Sequence, residues 1–600
     1  MSGQDDRLYY FQNELSYLRK SGAEFSRRYP KIAGQLALAP EECTDPQIER
    51  LIESFAFLTG RLQHQLDAEL PELTTSLLEI LYPQLIRPIP SMAIAEFAAD
   101  STQDAGTDKQ VIPAGTSLTT HTSEGLVCRF RTAYPVEIWP IHVTEASLES
   151  PDRFDCLDTV PNIAGVLRIR VESFGEPLGL LPIERLRFFI HGEPVLTGSL
   201  YDLLFGQAVR VVVLPESKQA TFLPAGALTP VGFGQDEQLL PAPPQAHPGY
   251  RLLQEFCVFP EKFHFFDISG FVGCMPSRSW ELLVLLPEMP KRRVVVDRHT
   301  FRLGCTPMVN LFPKTSEPIR LDHRQTQYRL IPDCRHEQTC EVYAVNKVSA
   351  SSHPGEDTQT FQPLFAVNHA MESSDHKTFW HGRRVLVGHE DRPGTELYLS
   401  FVDLDFHPSH PPVQTVFAHT WCSNRFLAEQ IPPGCHLSVE QEAPKARTSC
   451  LTRPTRHYNP PLGGHTLWRL VSHLSLNHLS LADGQDGLTA LREILKLYNP
   501  SQQAALNRQI MGLKSLSSRR ITRRIGREAW RGFCRGWEIL LTVDEHHYVG
   551  SSAILFASVL NQFFSLYVSI DSFTQLTVSS TMREGVWKQW PPMAGAQILL

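Results

Sequence analysis

The sequence predicts a multidomain α+β protein with a helical N-terminal segment, central antiparallel β-rich domains and a C-terminal α+β domain. Three observations favour this fold class. The chain has 600 residues, more than one hydrophobic core supports. Its first ninety residues show helical periodicity, and short alternating segments follow to about residue 400. The predicted domains are residues 1–90, 91–240, 241–453 and 465–600.

The N-terminal segment is expected to contain three amphipathic helices. The first carries Gly22 within an apolar stripe made by Leu8, Phe11, Leu15, Leu18 and Phe25. The second is expected after Asp45, a suitable N-cap that is followed by Pro46. Its apolar face comprises Ile48, Leu51, Ile52, Phe55, Leu58, Leu62 and Leu66. The third is expected from Pro71 to about Tyr82. Broad, partly aromatic stripes of this kind are typical of helices that also pack against partner chains.

The central region is expected to form strands. Runs of apolar residues with period two are separated by Gly, Pro and Asp, as in "VLRIRVES", "LRFFIHG", "VRVVVLP" and "ELYLSFVDLDF". A short helix is expected at Thr197–Gly206. Proline-rich breaks fall at Leu239–Gly249, His407–Pro412 and Pro454–Gly464, of which the last is the best predicted domain boundary.

The C-terminal region is expected to mix helices and strands. The periodicity predicts helices at Leu488–Tyr498, Ser501–Leu513 and Ala553–Val568. A strand is expected at "TQLTVSS", which follows the last of these helices.

Composition excludes several classes of protein. A net charge of −8 over 600 residues argues against a chain that neutralises a nucleic-acid backbone as a whole. The polar start "MSGQDDRLYY" lacks the features of a signal peptide, and the longest apolar runs are too short to span a bilayer, so a soluble, unsecreted chain is expected. Twelve scattered cysteines without a CxxC motif favour reduced, buried thiols. Cys334 and Cys340 lack further ligands for a metal site.

No motif for catalysis or for cofactor binding stands out. Phosphate-binding GxxxxGK[ST], the GxSxG elbow and HExxH are absent from the sequence. "DEHHYVG" at Asp544–Gly550 is interpreted as a polar turn, since adjacent side chains do not converge on one ion. His473 and His478 do not share a helix face and are expected to be core or interface residues.

An arginine-rich segment, "SSRRITRRIGREAWRG" at Ser517–Gly532, contains six arginines. Nucleic acid is one possible ligand, although the segment has only Trp530 for stacking and the whole chain is acidic. A salt-bridging face for an acidic partner and a solvated surface are the alternatives.

The stretch "GYRLLQEFCVFPEKFHFF", Gly249–Phe266, combines acids, bases and a thiol with six aromatic residues. Pro260 is expected to divide it into a helix and a strand. Gly249 would permit the turn into the helix, and Arg251 and Glu255 would pair at i,i+4. Cys257 between Phe256 and Val258 is expected to be a small buried hydrophobe, since a nucleophile requires access and a lowered pKa.

The same stretch resembles a hallmark of the TssF family, also called ImpG or VasA, whose members are baseplate subunits of bacterial type VI secretion systems. The resemblance extends in family order through "YYFQNELSYLRKSGAEFSRRYPKIAGQL", "LLEILYPQLIRPIPSMAIAEF", "LRFFIHGEPVLTGSLYDLL", "CTPMVNLFPKTSEPI", "RGWEILLTVDE" and "SVLNQFFSLYVSIDSFTQL". It covers almost the whole chain. Two places depart from the family pattern, Cys422–Ala428 and Asp571. The strand pattern is also similar to that of contractile-phage baseplate wedge proteins.

The resemblance implies an assembly role without catalysis, cofactor or metal. Family members pair as two copies with one TssG subunit to form a wedge. Wedges join around the VgrG spike hub and carry TssE and the adaptor TssK. The resemblance also implies a cytoplasmic location, docked at the inner-membrane secretion complex. The alternatives are a wedge protein of a phage tail or another contractile machine and, in another class, a hydrolase that uses Cys257 or the Asp544 and Glu545 pair.

Candidate partner-interface residues follow from the helical stripes and the arginine cluster. The N-terminal residues are expected to form a bundle with TssG and the second copy, and the arginines to meet an acidic partner. The candidates are Leu8, Phe11, Leu18, Phe25, Leu51, Phe55, Phe57, Leu58, Leu62, Arg519, Arg520, Arg523 and Arg524.

Overall fold

A computed structural model of the chain describes residues 11–12, 14–15, 18, 31, 46–99, 109–158, 160–217, 219–241, 248–290, 294–322, 324–351, 359–364, 378–387, 394–403, 415–440, 446–462, 470, 484–500, 503–524, 533–565, 568 and 572–595. The chain forms two compact units. One comprises residues 1–86 with 461–475, and the other comprises residues 87–460 with 476–600. None of the described helices is long and apolar enough to cross a membrane.

Six α-helices longer than a single turn lie in these ranges. They are α1 Pro46–Leu81, α2 Pro194–Gly206, α3 Pro248–Val258, α4 Gly484–Leu497, α5 Ala504–Met511 and α6 Ala553–Phe564.

The described strands number thirty. The first fifteen are β1 Met92–Ala99, β2 Gln110–Ile112, β3 Ser117–His121, β4 Val127–Thr132, β5 Val136–Ile138, β6 Ile141–Glu149, β7 Gly165–Ser173, β8 Arg185–Ile190, β9 Arg210–Pro215, β10 Thr221–Phe222, β11 Leu228–Pro230, β12 Phe265–Ser269, β13 Ser279–Leu286, β14 Phe301–Arg302 and β15 Cys305–Val309. The others are β16 Phe312–Thr315, β17 Ile319–Arg320, β18 Tyr328–Arg329, β19 Glu341–Ser351, β20 Gln359–Pro363, β21 Thr378–Leu386, β22 Thr395–Asp403, β23 Thr415–Ser423, β24 Ser438–Val439, β25 Ala446–Cys450, β26 Leu513–Arg524, β27 Phe533–Val543, β28 Phe573–Ser580, β29 Val586–Gln589 and β30 Met593–Ala594.

These strands form six sheets with many long-range pairings. The strand orders are β24-β3-β4-β15-β1-β25, β10-β9-β13-β7-β6, β11-β12-β8-β14, β16-β23-β19-β20-β21-β22-β18 with β17 on β23, β2-β5, and β26-β27-β28-β29 with β30 on β28. Among the described pairs, only β20–β21 and β27–β28 are parallel. Three of the sheets join strands from both sides of residue 240. The predicted division at 240/241 therefore does not separate one set of sheets from another.

The five-stranded sheet of β6, β7, β9, β10 and β13 shows how the residue pattern of a strand follows from which of its faces are buried. In β7, buried Leu167 and Ile169 alternate with the half-buried Arg168 and Arg170. The central strand β13 is buried on both faces except at Glu281, which accounts for its continuous apolar run. Arg168 lies beside Glu281 across the pair, with 2.5 Å between Nη2 and Oε1.

Helix α1 differs from the sequence-based expectation. The second and third predicted helices are one continuous helix, and Pro71 lies inside it. A proline removes one backbone hydrogen bond, but the bonds of the long helical stretches on either side maintain the helix. The helices predicted in the central and C-terminal regions agree with α2, α4, α5 and α6, and the strand "TQLTVSS" corresponds to β28. The first predicted helix, with Gly22, lies mostly outside the described residues.

Helices α2 and α6 meet at a close backbone approach. A Cβ on Gly198 would lie 2.5 Å from the carbonyl oxygen of Ser551, so only glycine fits there. Ser552 caps α6, because its Oγ accepts from Leu555 N at 2.9 Å. Asp202 of α2 accepts from Ser552 Oγ at 2.5 Å and from Ile554 N at 3.1 Å. Burial raises the pKa of the Asp202 carboxyl to about 7.

This carboxyl makes the stability of the α2–α6 contact depend on pH. Its pKa in the folded chain lies above the ordinary value of 3.8, so its contribution to stability is complete below about pH 4 and is lost as the pH rises through about 7. Asp202→Asn keeps an acceptor for Ser552 and removes the ionisation. We expect hydrogen exchange in α6 to accelerate between pH 5 and pH 8 in the natural chain and much less in the variant, after correction for intrinsic rates. Equal pH dependence in the two chains would contradict this.

Candidate functional site

The stretch Gly249–Phe266 forms a buried joint between a helix and a strand. Helix α3 is buried from Gly249 to its end, a short 3-10 helix occupies Pro260–Phe263, and β12 begins at Phe265. The predicted break at Pro260 is confirmed. Two details of the prediction were wrong: a 3-10 helix separates the break at Pro260 from the strand, and Gly249 lies within the helix instead of forming a turn into it.

Glu255 is the centre of this joint. Its side chain is fully buried, and its Oε1 accepts from the backbone N–H groups of Leu239 and Leu240 at 3.0 and 3.1 Å. Its Oε2 accepts from the Lys262 ammonium, which is also fully buried. Arg251 is farther away, with 4.0 Å between its Nε and Oε1 of Glu255. The predicted Arg251–Glu255 pair is therefore the weaker of the two contacts, because the turn after Pro260 brings Lys262 closer.

The Lys262–Glu255 pair is held by complementary charge in a dry environment. Burial lowers the pKa of the Lys262 ammonium, and the Glu255 carboxylate opposes this shift. Desolvating two charges is expensive, so such a pair is sustained only when both partners are present and further hydrogen bonds satisfy them. The carboxylate thereby ties α3 to residues 239–240 and to the segment before β12.

A second charged network lies next to the first. Arg187 of β8 forms a bidentate pair with Asp267 of β12, with N–O distances of 2.8 and 2.9 Å. Glu237 accepts from the N–H groups of Gly232 and Gly234 at 2.7 and 3.0 Å, and lies 3.6 Å from Arg187. Residues Gly232–Glu237, "GFGQDE", thus form a loop that is held by hydrogen bonds to its own glutamate.

Gly232 is required in that loop. Its φ of 106° is in the left-handed region, and an added Cβ would lie 3.1 Å from the carbonyl oxygen of Lys262 and 3.2 Å from Tyr134 Oη. Tyr134 donates to the same carbonyl oxygen at 3.2 Å. The loop therefore packs directly on the turn that carries Lys262.

Aromatic contacts extend the joint to the C-terminal region. Phe265 lies between Phe189 and Tyr134, with centroid distances of 4.7 and 5.5 Å. On the other side, Phe256 stacks on Phe556 of α6 at 5.4 Å. The stretch thus connects α6 with the sheet of β8, β11, β12 and β14.

The chemistry of the joint does not resemble a nucleophilic centre. Burial raises the pKa of the Cys257 thiol far above its usual value, which disfavours the thiolate. Burial also lowers the pKa of His264 to about 4, so this imidazole is neutral at physiological pH. A catalytic cysteine requires the opposite environment for its thiol.

The Asp544–Gly550 segment is a polar turn, as its sequence suggests. Asp544 accepts from His546 N at 3.1 Å and caps a short 3-10 helix, Glu545–Tyr548. Glu545 pairs with Arg583, with N–O distances of 2.8 and 3.2 Å. These two acids therefore have structural partners of their own. His473 and His478 lie outside the described residues.

In the loop after β18, which contains Cys334, a carboxylate is paired with the side chain of Lys314. Ligand atoms of Glu317, Asp333 and Cys334 lie within 4.8 Å of one another. The Lys314 ammonium binds Asp333, and His336 Nδ1 lies 3.0 Å from the same carboxylate. The Asp333 carboxylate is thus already paired with cationic side chains of the chain itself.

A cavity of about 300 Å³ lies among strands β1, β5, β6, β8 and β14. Both carboxylates in its lining have a counter-ion: Glu96 lies 3.1 Å from Arg302, and Glu137 lies 3.0 Å from Lys109. The lining also contains His142, whose ring stacks on Phe174 at a centroid distance of 4.2 Å.

Along residues 51–60, helix α1 exposes most of its large apolar side chains and buries two small residues. Leu51, Phe55 and Leu58 share one face at i, i+4 and i+7, and they are 71%, 56% and 55% exposed. Ala56 and Gly60, on a different face, are buried. A helix usually buries the larger apolar surface within its own domain. The exposed face, defined by Leu51, Phe55 and Leu58, is the apolar face of α1.

The remaining N-terminal candidates lie in different situations. Phe57 is exposed on another side of α1 and contacts Phe11 edge-on at 6.5 Å. Leu18 is helical and half-buried. Leu8 and Phe25 lie outside the described residues, and Leu62 is described only as part of helix α1.

The described part of the arginine-rich segment, residues 517–524, belongs to strand β26, which the sequence did not reveal. Arg519 and Arg520 lie in β26 opposite Glu538 and Trp537 of β27. Arg519 pairs with Glu538, and Arg520 lies over the Trp537 ring at 5.0 Å. Arg523 is exposed, and Arg524 is the last residue of the strand. Alternating serine, isoleucine and threonine was the available strand signal, but it is weak among so many charges.

Comparison with known proteins gives consistent matches along the chain. Residues 3–597 match the family model described as "Type VI secretion system, TssF". The chain is 35% identical to the type VI secretion system component TssF1 of Pseudomonas aeruginosa, across 98% of this chain and 99% of that protein.

Solved structures share the fold. One is a chain of the TssK-TssF-TssG baseplate subcomplex of the type VI secretion system, with a TM-score of 0.72, 24% identity, and coverage of 92% of this chain and 99% of that one. Another is a chain of a type VI secretion baseplate complex, with a TM-score of 0.59, 23% identity, and coverage of 99% and 100%.

Proposed function

The chain belongs to the TssF family of the type VI secretion system, and we propose on this premise that it is a structural, non-catalytic subunit of the secretion baseplate. The observation that carries the proposal is the apolar face of α1. Leu51, Phe55 and Leu58 expose a continuous surface of large side chains, whereas each candidate for chemistry is buried or ion-paired. Such a surface is typical of a binding site for another protein.

The apolar face of α1 is assigned to a helical bundle with TssG and a second copy of this chain. A face of residues spaced at i, i+4 and i+7 fits between helices of a partner. The solved structure of a TssK-TssF-TssG subcomplex supports a contact with TssG, because a TssF chain and TssG belong to the same subcomplex there. The bundle would include the other N-terminal candidates, Leu8, Phe11, Leu18, Phe25, Phe57 and Leu62.

The other partners in the proposal are TssK, TssE and the VgrG spike hub. The sheet-rich unit would form arms that brace neighbouring wedges, and the arginines of β26 would meet an acidic neighbour. The assembled baseplate would dock from the cytoplasm on the inner-membrane secretion complex. It would then initiate polymerisation of the tail tube and sheath.

Co-expression with TssG and TssK tests the proposal directly. We expect a stable complex that contains two copies of this chain and one TssG, with masses measured by light scattering and the arrangement by imaging. Purification of this chain alone, in the presence of well-expressed TssG, would refute the structural role.

Replacement of Cys257 by alanine separates the structural role from a hydrolase. The buried thiol has no catalytic environment, so the variant should lose only about 1 kcal/mol of stability, the contribution of a small buried group. Secretion by a strain that depends on the variant should be near normal. Loss of secretion by a variant that still folds and assembles would favour the enzyme.

A further inference from the structure

Strands β26 and β27 form a hairpin that extends beyond its sheet. They pair from Leu513 with Val543 to Arg524 with Phe533. The third strand, β28, pairs with β27 only from Gly536 onwards, where Phe573 lies opposite. Residues 522–524 and 533–535 therefore form a two-stranded extension. We call residues 519–524 and 533–538 together the hairpin arm.

The hairpin arm carries an excess of positive charge in an acidic protein. Its only acid is Glu538, whereas its five arginines are Arg519, Arg520, Arg523, Arg524 and Arg535. The Glu538 carboxylate is already bound by Arg519, by Thr577 Oγ1 at 3.2 Å and by Gln589 Nε2 at 3.2 Å. The exposed Arg523 and Arg535 therefore lie outside that set of hydrogen bonds.

The hairpin arm also presents an open strand edge. Within the described part of the chain, β26 pairs only with β27, so the outward N–H and C=O groups of its residues 519–524 form a template for a further strand. Charges on an edge strand can simply prevent aggregation. That role does not account for Phe533, which is 76% exposed beside the arginines.

We propose that the edge of β26 binds an acidic, extended segment of a neighbouring baseplate protein as an added strand. This inference rests on the proposed baseplate function and specifies one contact within it. Main-chain hydrogen bonds would supply the register, and carboxylates on alternate residues of the segment would meet Arg520 or Arg523 according to the face they occupy. Phe533 would cover an apolar residue of the segment.

A protein segment fits this surface better than a nucleic acid. The arginine that is best placed for stacking, Arg520, already lies on Trp537. An open strand edge recognises a peptide backbone and has no counterpart in nucleotide binding.

The test uses the full chain and a fluorescein-labelled peptide of alternating glutamate and valine. We expect binding by anisotropy, about tenfold weaker affinity in Arg520→Glu with Arg523→Glu, and retained affinity in Arg520→Lys with Arg523→Lys. Arg153→Glu with Arg324→Glu is the matched control, because it makes the same charge change at exposed positions elsewhere. Added salt should weaken binding.

Hydrogen exchange distinguishes strand addition from a simple ion pair. The peptide should protect amides within residues 519–524, and a glutamine–valine peptide should bind much more weakly. Equal binding by the charge-reversed and natural chains, or an absence of protection in β26, would overturn the proposal. Tighter binding of a single-stranded oligothymidine with the same number of charges would assign the hairpin arm to nucleic acid instead.

The outcome can be separated from that of the proposed function. The charge-reversed chain should still co-purify with TssG, since the apolar face of α1 is unchanged. If the natural chain binds TssG but not the peptide, the proposal for the hairpin arm is wrong and the baseplate role stands. If the natural chain does not bind TssG, the baseplate role is wrong.

Discussion

A chain that carries Leu51→Asp and Phe55→Asp is expected to fold normally and to lose TssG from its purified complex. Both side chains are exposed in the isolated chain, so the substitutions cost little in folding. Burial of one large apolar side chain contributes about 1.5–3 kcal/mol. Two lost contacts therefore weaken association by at least about 100-fold, at 1.4 kcal/mol for each factor of ten, and the buried charges weaken it further.

The control for this experiment is Glu124→Lys in the turn between β3 and β4. Glu124 is exposed and does not lie on α1, so its charge change should leave TssG binding intact. Co-purification yields, corrected for expression, provide the measurement. Normal recovery of TssG with the double aspartate variant would show that the apolar face of α1 has a different occupant or none.

Glu255→Gln is expected to destabilise the helix-to-strand joint by about 3–5 kcal/mol, because it leaves the Lys262 ammonium buried without its partner. Glutamine has nearly the same shape and can still accept from the N–H groups of Leu239 and Leu240. The loss of stability therefore measures the effect of removing the negative charge. Hydrogen exchange of amides in α3 gives the local opening free energy, which a single unfolding midpoint of a multidomain chain does not.

Two companion variants make this measurement specific. Glu255→Gln combined with Lys262→Met removes both charges and should recover most of the lost stability. Glu281→Gln breaks a half-buried pair with Arg168 and should cost about 1 kcal/mol or less. If Glu255→Gln proved no more harmful than Glu281→Gln, the buried pair would not be what holds the joint.

Local signals predicted many of the elements because they depend on neighbours in sequence. The period of 3.6 located α4 and α6, and alternation located β7. Pro260 ends a helix because the chain before a proline avoids the helical conformation. The same local rule failed at Pro71, where bonds on both sides of the proline maintain α1.

Partners at long range could not be inferred in this way. Nothing in the local sequence indicates that Glu255 binds Lys262 instead of Arg251, or that Asp202 reaches Ser552. The arginines of β26 are predicted from sequence only as a surface cluster. Their position on an open strand edge follows from the sheet order. Each of these contacts depends on where separate elements meet.

The sequence by itself determined that this chain is a mixed, strand-rich member of the TssF family without a motif for catalysis, because motifs and periodicity are written along the chain. The tertiary structure alone decided which charges are buried together and which face of α1 is left exposed. The reason is that burial and pairing depend on distances between residues far apart in sequence. A shift of a few ångströms in such a distance removes most of the interaction energy of a charged pair. The fold class and the family are therefore encoded in local sequence, whereas the pairing and exposure of side chains are set by packing.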